Sequence, residues 1–508
     1  MTGDGPIVCA VADAAPTSIR SLAATDWDLT AEDSAAPSDD RHHDATRPDG
    51  TGAQGMWPLF LGLGLLMVGN GLNGAVIGVR SGSEGFSLVV TGVIMAGYFA
   101  GFLLAPSLVE RMISSVGHIR VFAGLASTAS TAVLIHSVLV NPPTWVAMRF
   151  VFGFCFAGLY IVIESWLNEL STTANRGRTL AIYMIVSMSG LGLGQFLIAV
   201  GDPSTFRLFV LSSVLVSMAL VPVTLATSIT GPTVRLPEKV SARELLRIVP
   251  TGVVGSFMSG ASTGVVFALS AVYATAVGMS LERTGLFLLA PMLGGVLMQW
   301  PVGKLSDRLR RRTVIFGVST VAAMMCAIGV VLPSENPAVL LVMFGIGGTM
   351  FPLYSLVVSY TLDWTAVNKT VGASGTMVFL NGSGALVGPL ATAPLMAWIG
   401  PTLFYWTMGA FFSVIVAFIS YRIAFREALP ESSEGPYIPF PARATSVAFK
   451  LVAAPAKAGK TVGRLVGRNV AVRPHARGRA DDRFARYRDA AGTADGPSLT
   501  RPSDDTAG

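Results

Sequence analysis

Residues 147–195 read AMRFVFGFCFAGLYIVIESWLNE, then LSTTANRGR, then TLAIYMIVSMSGLGLGQ. Two apolar runs flank a short basic segment, and each run has the roughly 20 residues that a helix needs to cross a bilayer. The first run contains Arg149 and Glu164. A charged side chain inside such a span costs at least about 2.5 kcal/mol, so it normally faces protein or a water-filled cavity. This stretch therefore predicts a membrane protein with a polar interior.

The two charges of the first run share one face of the predicted helix. The stripe along this face consists of Arg149, Gly153, Phe156, Tyr160 and Glu164, which follow one another at helical spacing. Arg149 and Glu164 are fifteen positions apart, or about 22 Å at the helical rise of 1.5 Å per residue. Neither side chain spans that distance, so the two charges are not each other's partner.

A second copy of this stretch follows 194 residues later (344 − 150) without gaps. The matching pairs are Phe150 and Phe344, Gly153 and Gly347, Leu159–Tyr160 and Leu353–Tyr354, Ser165 and Ser359, Glu169 and Asp363, Ser189–Gly190 and Ser383–Gly384, and Gly194 and Gly388. At the same offset Arg149 falls on Met343, and Glu164 falls on Val358. Because the repeat keeps the scaffold and drops both charges, the charges serve a task rather than the fold. A long internal repeat in a membrane protein is typical of transporters.

The composition is that of a polytopic membrane protein. Of the 508 residues, 52% are hydrophobic and 13% are charged, whereas soluble domains carry about 25% charged residues. The net charge of +6 is therefore no signal for nucleic-acid binding. The predicted fold is an all-α membrane protein with twelve transmembrane helices in two pseudo-symmetric six-helix bundles. The candidate spans cover residues 57–79, 88–109, 119–140, 144–168, 178–199, 206–229, 249–277, 283–303, 313–332, 337–361, 371–396 and 401–423.

No pattern for a cofactor, a metal or a catalytic centre stands out. The three cysteines, Cys9, Cys155 and Cys326, have no ligand spacing. There is also no nucleotide-binding loop and no hydrolase motif. We therefore expect neither a cofactor nor an enzymatic activity.

Polar segments divide the chain into five parts. We predict a disordered acidic tail over 1–55, six-helix bundles over 56–230 and 248–425, a linker over 231–247, and a basic, mostly disordered tail over 426–508. Lys and Arg concentrate on the side that holds the linker and both tails, which places this side in the cytoplasm. We expect an integral plasma-membrane protein with both termini cytoplasmic. The basic tail either contacts the anionic inner leaflet or stays solvated.

The segment Gly303-Lys-Leu-Ser-Asp-Arg-Leu-Arg-Arg-Arg312 joins the eighth and ninth spans. It resembles the G-x-L-x-D-R-x-G-R-R signature of the major facilitator superfamily, and only the second glycine departs, becoming Arg310. We expect a tight turn at Gly303 and a capping role for Asp307. Residues 110–120 form a degenerate copy, and ordinary positive-inside loops are the alternative interpretation of both segments. The predicted conformational latch consists of Gly303, Asp307, Arg308, Arg311, Arg312, Glu110, Arg111 and Arg178.

Further resemblances narrow the family. The pattern Arg149-x-x-x-Gly153-x-x-x-Ala157 resembles the fourth-helix arginine motif of proton-coupled facilitators. The fifth-helix Gly-Pro signature of drug antiporters is missing, since Gln195 stands where the proline would be. The superfamily resemblance implies two bundles that rock about a site lined by the first, fourth, seventh and tenth helices. Four motifs are similar to those of the YcaD-like facilitators: residues 69–74, 163–168, 175–178 and 291–301.

Polar side chains at mid-membrane depth are the candidates for a solute and proton pathway. Each either contacts a solute or hydrogen-bonds a neighbouring helix. For Arg149 we expect a place in the central cavity and an anionic group or a buried carboxylate as partner. The alternative is an arginine that reaches the outer interface. The candidates are Arg149, Glu164, Tyr160, Asn70, Asn73, Gln195, Gln299, Tyr354 and Asn381, and Tyr98 has a similar depth.

Two acidic residues receive specific predictions. Glu164 either exchanges protons with the gradient, or it belongs to a permanent ion pair with a cation such as Arg176 or Arg178 that closes the cytoplasmic gate. Asp307 is expected to dock against the start of the fifth helix, close to Arg178, and to stabilise the outward-open state.

The sequence thus predicts a secondary active transporter of a small organic solute that works by alternating access and couples to protons. The alternative is a membrane sensor or scaffold that keeps the transporter fold and acts through its basic tail. Transport that survives deletion of residues 431–508 distinguishes the two. The expected partners are the solute, protons and the lipid bilayer, and no nucleic acid is expected.

Overall fold

The computed structural model describes residues 56–172, 175–225, 240–365 and 369–425. The two predicted tails and most of the predicted linker lie outside the described residues. The described chain is helical, with one 3-10 turn at Leu197–Val200. The α-helices are α1 (Trp57–Ser83), α2 (Leu88–Val116), α3 (His118–Val138), α4 (Pro142–Leu170), α5 (Arg176–Phe196), α6 (Arg207–Met218), α7 (Leu220–Leu225), α8 (Ala242–Ile248), α9 (Pro250–Ala276), α10 (Leu281–Arg308), α11 (Arg311–Val331), α12 (Ala338–Asp363), α13 (Thr370–Trp398) and α14 (Leu403–Phe425).

Twelve spans within the described ranges are long and apolar enough to cross a membrane, with α6 and α7 forming one span. This confirms the predicted fold class. The helices extend beyond several predicted apolar runs, because a helix continues into the polar interface until its backbone turns. Thus α2 runs to Val116, where Gly117 has a φ of 86° that favours glycine. The helix α4 starts at a sharper signal: the Asn141 side chain accepts a hydrogen bond from the Thr144 amide at 2.9 Å, and Pro142 opens the first turn.

The prediction of a tight turn at Gly303 is wrong. Gly303 is buried inside α10, and the chain turns at Leu309 and Arg310 instead. Arg310 has a φ of −56°, which any residue adopts. The second signature glycine is therefore dispensable here, whereas the equivalent Gly117 of the first half has a positive φ.

The internal repeat is visible in the backbone contacts. A side chain on Gly153 would place its Cβ 2.0 Å from the Tyr98 carbonyl, and one on Gly347 would lie 2.0 Å from the Pro291 carbonyl. Hence α4 touches α2 in the first bundle just as α12 touches α10 in the second. Positions correspond with a shift of 193 in α2 (291 − 98) and 194 in α4 (347 − 153).

The same shifts relate α1 and α5 to α9 and α13. A Cβ on Gly71 would lie 2.2 Å from the Leu191 carbonyl, and one on Gly264 would lie 2.2 Å from the Ala385 carbonyl. Small residues let the backbones approach, as is common between membrane helices. The correspondence holds for all the helices that matter for the site.

Burial separates inner from outer helices. The most buried spans are α9 and α12, with 72% and 78% of their central windows buried, and α1 and α4 follow with 67% each. The spans formed by α11, α13 and α14 are only 39% buried. The first, fourth, seventh and tenth spans are therefore the inner ones.

The helix ends define two faces of the molecule. We call the face with the turns at 117 and 309–310 and with the ends of α4 and α12 the basic face. The opposite one, with the turns at 84–87, 139–141 and 277–280, is the far face. In the far half the two bundles touch closely. A Cβ on Gly78 would lie 2.7 Å from the Ala271 Cβ, and one on Gly82 would lie 3.0 Å from the Thr275 side chain.

Candidate functional site

A pocket that encloses about 300 Å³ of space between atoms, part of it open solvent, lies between the two bundles, and we call it the cavity. Three of the four inner helices, α1, α4 and α9, contribute to it, together with α2 and α5. The tenth span, α12, was also expected to line the central site, but none of its residues is among those that line this cavity. The lining residues are Asn70, Gly71, Gly74, Tyr98, Phe99, Arg149, Leu191, Gln195 and Phe267.

Arg149 is the charged group of the cavity. The residue is only 4% exposed, and its Nη1 donates a hydrogen bond to Asn73 Oδ1 at 3.0 Å. The guanidinium carbon lies 5.0 Å from the centre of the Tyr98 ring, a distance that allows a cation–π interaction. Asn73 is not a lining residue, so its contact orients the guanidinium from behind. Arg149 thus lies inside the bundle and does not extend to the far interface.

The remaining polar groups of the cavity come from α1, α2 and α5. Asn70 donates from Nδ2 to the Tyr98 hydroxyl at 3.4 Å. Gln195 is 5% exposed, and its Oε1 has no hydrogen-bond partner among the described residues. Gly74 faces empty space, because a Cβ placed on it would meet no atom within 4 Å. The cavity therefore presents a cation, an amide oxygen and a smooth patch of helix.

Glu164 lies on α4, nearer the basic face, and is completely buried. The Tyr183 hydroxyl of α5 donates to its Oε1 at 2.6 Å. Tyr183 was not predicted from the sequence. The available signal was a single tyrosine within the apolar run of α5, which lies antiparallel to α4. The predicted cation Arg178 is exposed at the basic face, and Arg176 is half-buried.

The other sequence candidates take part in helix packing. Tyr160 donates to the Met67 sulfur at 2.9 Å. In the second bundle, Gln299 donates to the Ser355 hydroxyl at 3.2 Å, and Asn381 donates to the Ser256 carbonyl at 3.2 Å. Tyr354 is 1% exposed within the same bundle. None of these four residues is among those that line the cavity.

The predicted latch residues divide into buried and exposed groups. Arg311 forms an ion pair with Asp363, and Arg312 donates from Nε to the Tyr360 hydroxyl at 3.2 Å. These two contacts hold α11 against α12 within one bundle. Asp307, Arg308, Arg111 and Arg178 are exposed, and Glu110 is half-buried. The docking of Asp307 near Arg178 stays a prediction.

The first bundle has a different contact at the equivalent place. There the His118 ring lies 5.9 Å from the Trp166 ring, centre to centre. By the shifts given above, His118 corresponds to Arg311, and Trp166 corresponds to Tyr360. The ion pair between helices is therefore a property of the second bundle.

Comparison with known proteins agrees with this architecture. The family model described as Major Facilitator Superfamily matches residues 251–462. The MFS-type transporter YcaD of Escherichia fergusonii is 26% identical over 306 residues, which cover 60% of this chain and 79% of the relative. An MFS-type transporter of Enterobacter sp. (strain 638) is 28% identical over 342 residues, covering 66% of this chain and 88% of the relative.

Solved structures share the fold at low identity. The nucleoside transporter NupG superposes with a TM-score of 0.59 at 11% identity, over 74% of this chain and all of that one. A bacterial homologue of the human lysosomal transporter Spinster superposes with a TM-score of 0.55 at 13% identity, over 80% of this chain and 98% of the other. Fold, spans and relatives together define a secondary transporter. Residues 251–462 are similar to the major facilitator superfamily, and the two relatives named above are MFS-type transporters.

Proposed function

We propose that this transporter moves a small organic solute through the central cavity and couples the movement to protons through Glu164. The observation that carries the proposal is the complete burial of this carboxylate on an inner helix. Its equivalent in the second bundle is Val358, which is also buried. Because that bundle folds without an acid at this position, the carboxylate of Glu164 is available for a task other than folding.

The position of Glu164 fits a change of charge between two states of the transporter. Proton binding removes a negative charge from the protein interior, where an unneutralised charge is costly. Any rearrangement of α4 against α5 alters the surroundings of the carboxylate, including the hydrogen bond from Tyr183. The two states then differ in proton affinity, which is how a proton gradient biases a conformational equilibrium.

The contacts between the bundles support alternating access about the cavity. The close approaches of α1 to α9 at Gly78 and Gly82 lie between the cavity and the far face. Opening the cavity to the far face requires these helices to part. If the basic face is cytoplasmic, as the distribution of Lys and Arg predicts, this conformation is closed towards the outside.

Glu164→Gln tests the proton role. Since glutamine keeps the shape but carries no titratable group, we expect loss of gradient-driven accumulation in proteoliposomes, while solute binding and counterflow exchange remain. Glu335→Gln, which removes an exposed carboxylate at the far face, serves as the control and should leave accumulation unchanged. Accumulation by Glu164→Gln with normal pH dependence would show that Glu164 belongs only to a gate.

A further inference from the structure

The cavity is unequally polar on its two sides. Eight of its nine lining residues belong to the first bundle, and Phe267 alone comes from the second. The second-bundle positions equivalent to the polar lining residues carry no charge. By the shifts given above, Asn70 corresponds to Thr263, Tyr98 to Pro291, Arg149 to Met343 and Gln195 to Pro389.

The lining of the cavity carries a positive charge. Arg149 is its charged residue, and no Asp or Glu is among the residues that line the cavity. Two of the side chains that contact the guanidinium, Asn73 and Tyr98, are neutral. Glu164 is fifteen positions away, or about 22 Å along the same helix. A buried cation is best stabilised by a charge-assisted, bidentate contact, which a carboxylate provides.

Gln195 adds a second requirement for a bound solute, which is a hydrogen-bond donor. Its Oε1 is buried and accepts no hydrogen bond from the described residues. A buried acceptor without a donor is unfavourable, so a bound solute gains affinity if it supplies an N–H or O–H group to this oxygen. Phe99 and Phe267 offer apolar ring surface in the same cavity.

From this geometry we infer that the solute is a small organic monoanion that also carries a hydrogen-bond donor. Its anionic group binds Arg149 in the first bundle, its donor reaches Gln195, and its apolar part contacts Phe267 of the second bundle. A cationic solute would meet the like charge of Arg149. A solute held in this way touches both bundles, as a transported molecule must when the bundles move around it. The inference rests on the proposed transport function and adds the chemical class of its substrate.

The test uses four probes of similar size and the purified full-length chain. Benzoate is a flat monoanion, para-hydroxybenzoate adds a donor, benzamide is neutral and benzylamine is cationic. We expect benzoate to raise the melting temperature, para-hydroxybenzoate to raise it further, and the other two to leave it unchanged. Benzoate affinity should fall about tenfold or more in Arg149→Gln. Lys304→Gln, which removes an exposed cation beside Trp300, should bind as the unmodified chain does.

A second pair of variants distinguishes loss of binding in the cavity from loss of folding. Gly74→Leu places a side chain in empty space within the cavity and should abolish benzoate binding, whereas Gly124→Leu places it on the exposed face of α3 and should not. Gln195→Leu should remove the advantage of para-hydroxybenzoate over benzoate.

Three results would overturn the inference. They are a benzamide or benzylamine shift as large as that of benzoate, an Arg149→Gln variant that keeps the benzoate shift, and the absence of any shift with both anions. These experiments measure binding alone. If they contradict the monoanion inference, the proposal of proton coupling through Glu164 still stands. If the Glu164→Gln accumulation test contradicts proton coupling, the binding result still stands.

Discussion

At the scale of the residue, burial decides how much a polar contact contributes. Glu164 and Tyr183 are 0% and 1% exposed, so neither recovers a water partner if the other is removed. A hydrogen bond to a charged group in such surroundings is worth about 1.5–3 kcal/mol, more than one between neutral groups. The contact also links α4 to α5 near the basic face, so its loss affects both packing and coupling.

Tyr183→Phe should therefore lower the free energy of unfolding in detergent by about 1–3 kcal/mol. Tyr421→Phe removes a hydroxyl from a tyrosine that is 57% exposed and should cost close to nothing. Combined with Glu164→Gln, the effect of Tyr183→Phe should be clearly smaller, because the uncharged glutamine oxygen accepts a weaker hydrogen bond from Tyr183 than a carboxylate does. Strict additivity of the two effects would contradict a direct contribution of this bond.

At the scale of the element, the two bundles fasten equivalent helices by different chemistry. The second bundle places the ion pair of Arg311 and Asp363, 1% and 8% exposed, between α11 and α12. The first bundle packs the His118 ring against the Trp166 ring. A buried ion pair contributes little net stability over an apolar contact, but losing one partner leaves an uncompensated charge.

Arg311→Gln should consequently lower the free energy of unfolding by about 3–5 kcal/mol. The double variant Arg311→Gln with Asp363→Asn should recover part of that loss, since neither member of the pair then leaves an uncompensated charge. Lys369→Gln breaks a pair with Glu244 whose side chains are 33% and 34% exposed, and we expect a loss of about 0–1 kcal/mol. Equal losses for Arg311→Gln and Lys369→Gln would argue against burial as the cause.

The sequence predicted elements better than contacts, for a physical reason. Apolar run length follows bilayer thickness, so the twelve spans were predictable to within a few residues except at their polar ends. The position of Gly303 inside a helix was not predictable, because a glycine motif does not distinguish a turn from a helix that packs tightly. Tyr183 and Phe267 were missed since their role depends on which helix faces which. The unequal charge of the two halves, in contrast, can be predicted from the sequence repeat, because Arg149 aligns with Met343.

At the scale of the whole molecule, two similar bundles enclose a site that belongs almost entirely to one of them. In the proposed mechanism the bundles exchange contacts between two states of similar energy, and Arg149 and Glu164 stay in the first bundle in both states. In the present state the far half is closed by α1 against α9. Transport through the cavity therefore requires that this contact opens.

Accessibility of a cysteine at Gly74 tests this requirement most directly. The natural cysteines are replaced by serine, and Gly82→Cys and Thr275→Cys are added, since a Cβ on Gly82 lies 3.9 Å from the Thr275 Cβ, a distance that suits a disulfide. In oriented membranes, a membrane-impermeant maleimide should label Gly74→Cys from both sides when the pair is reduced. Oxidation of the pair should abolish labelling from the far side alone. Far-side labelling that persists after full oxidation would contradict alternating access through this contact.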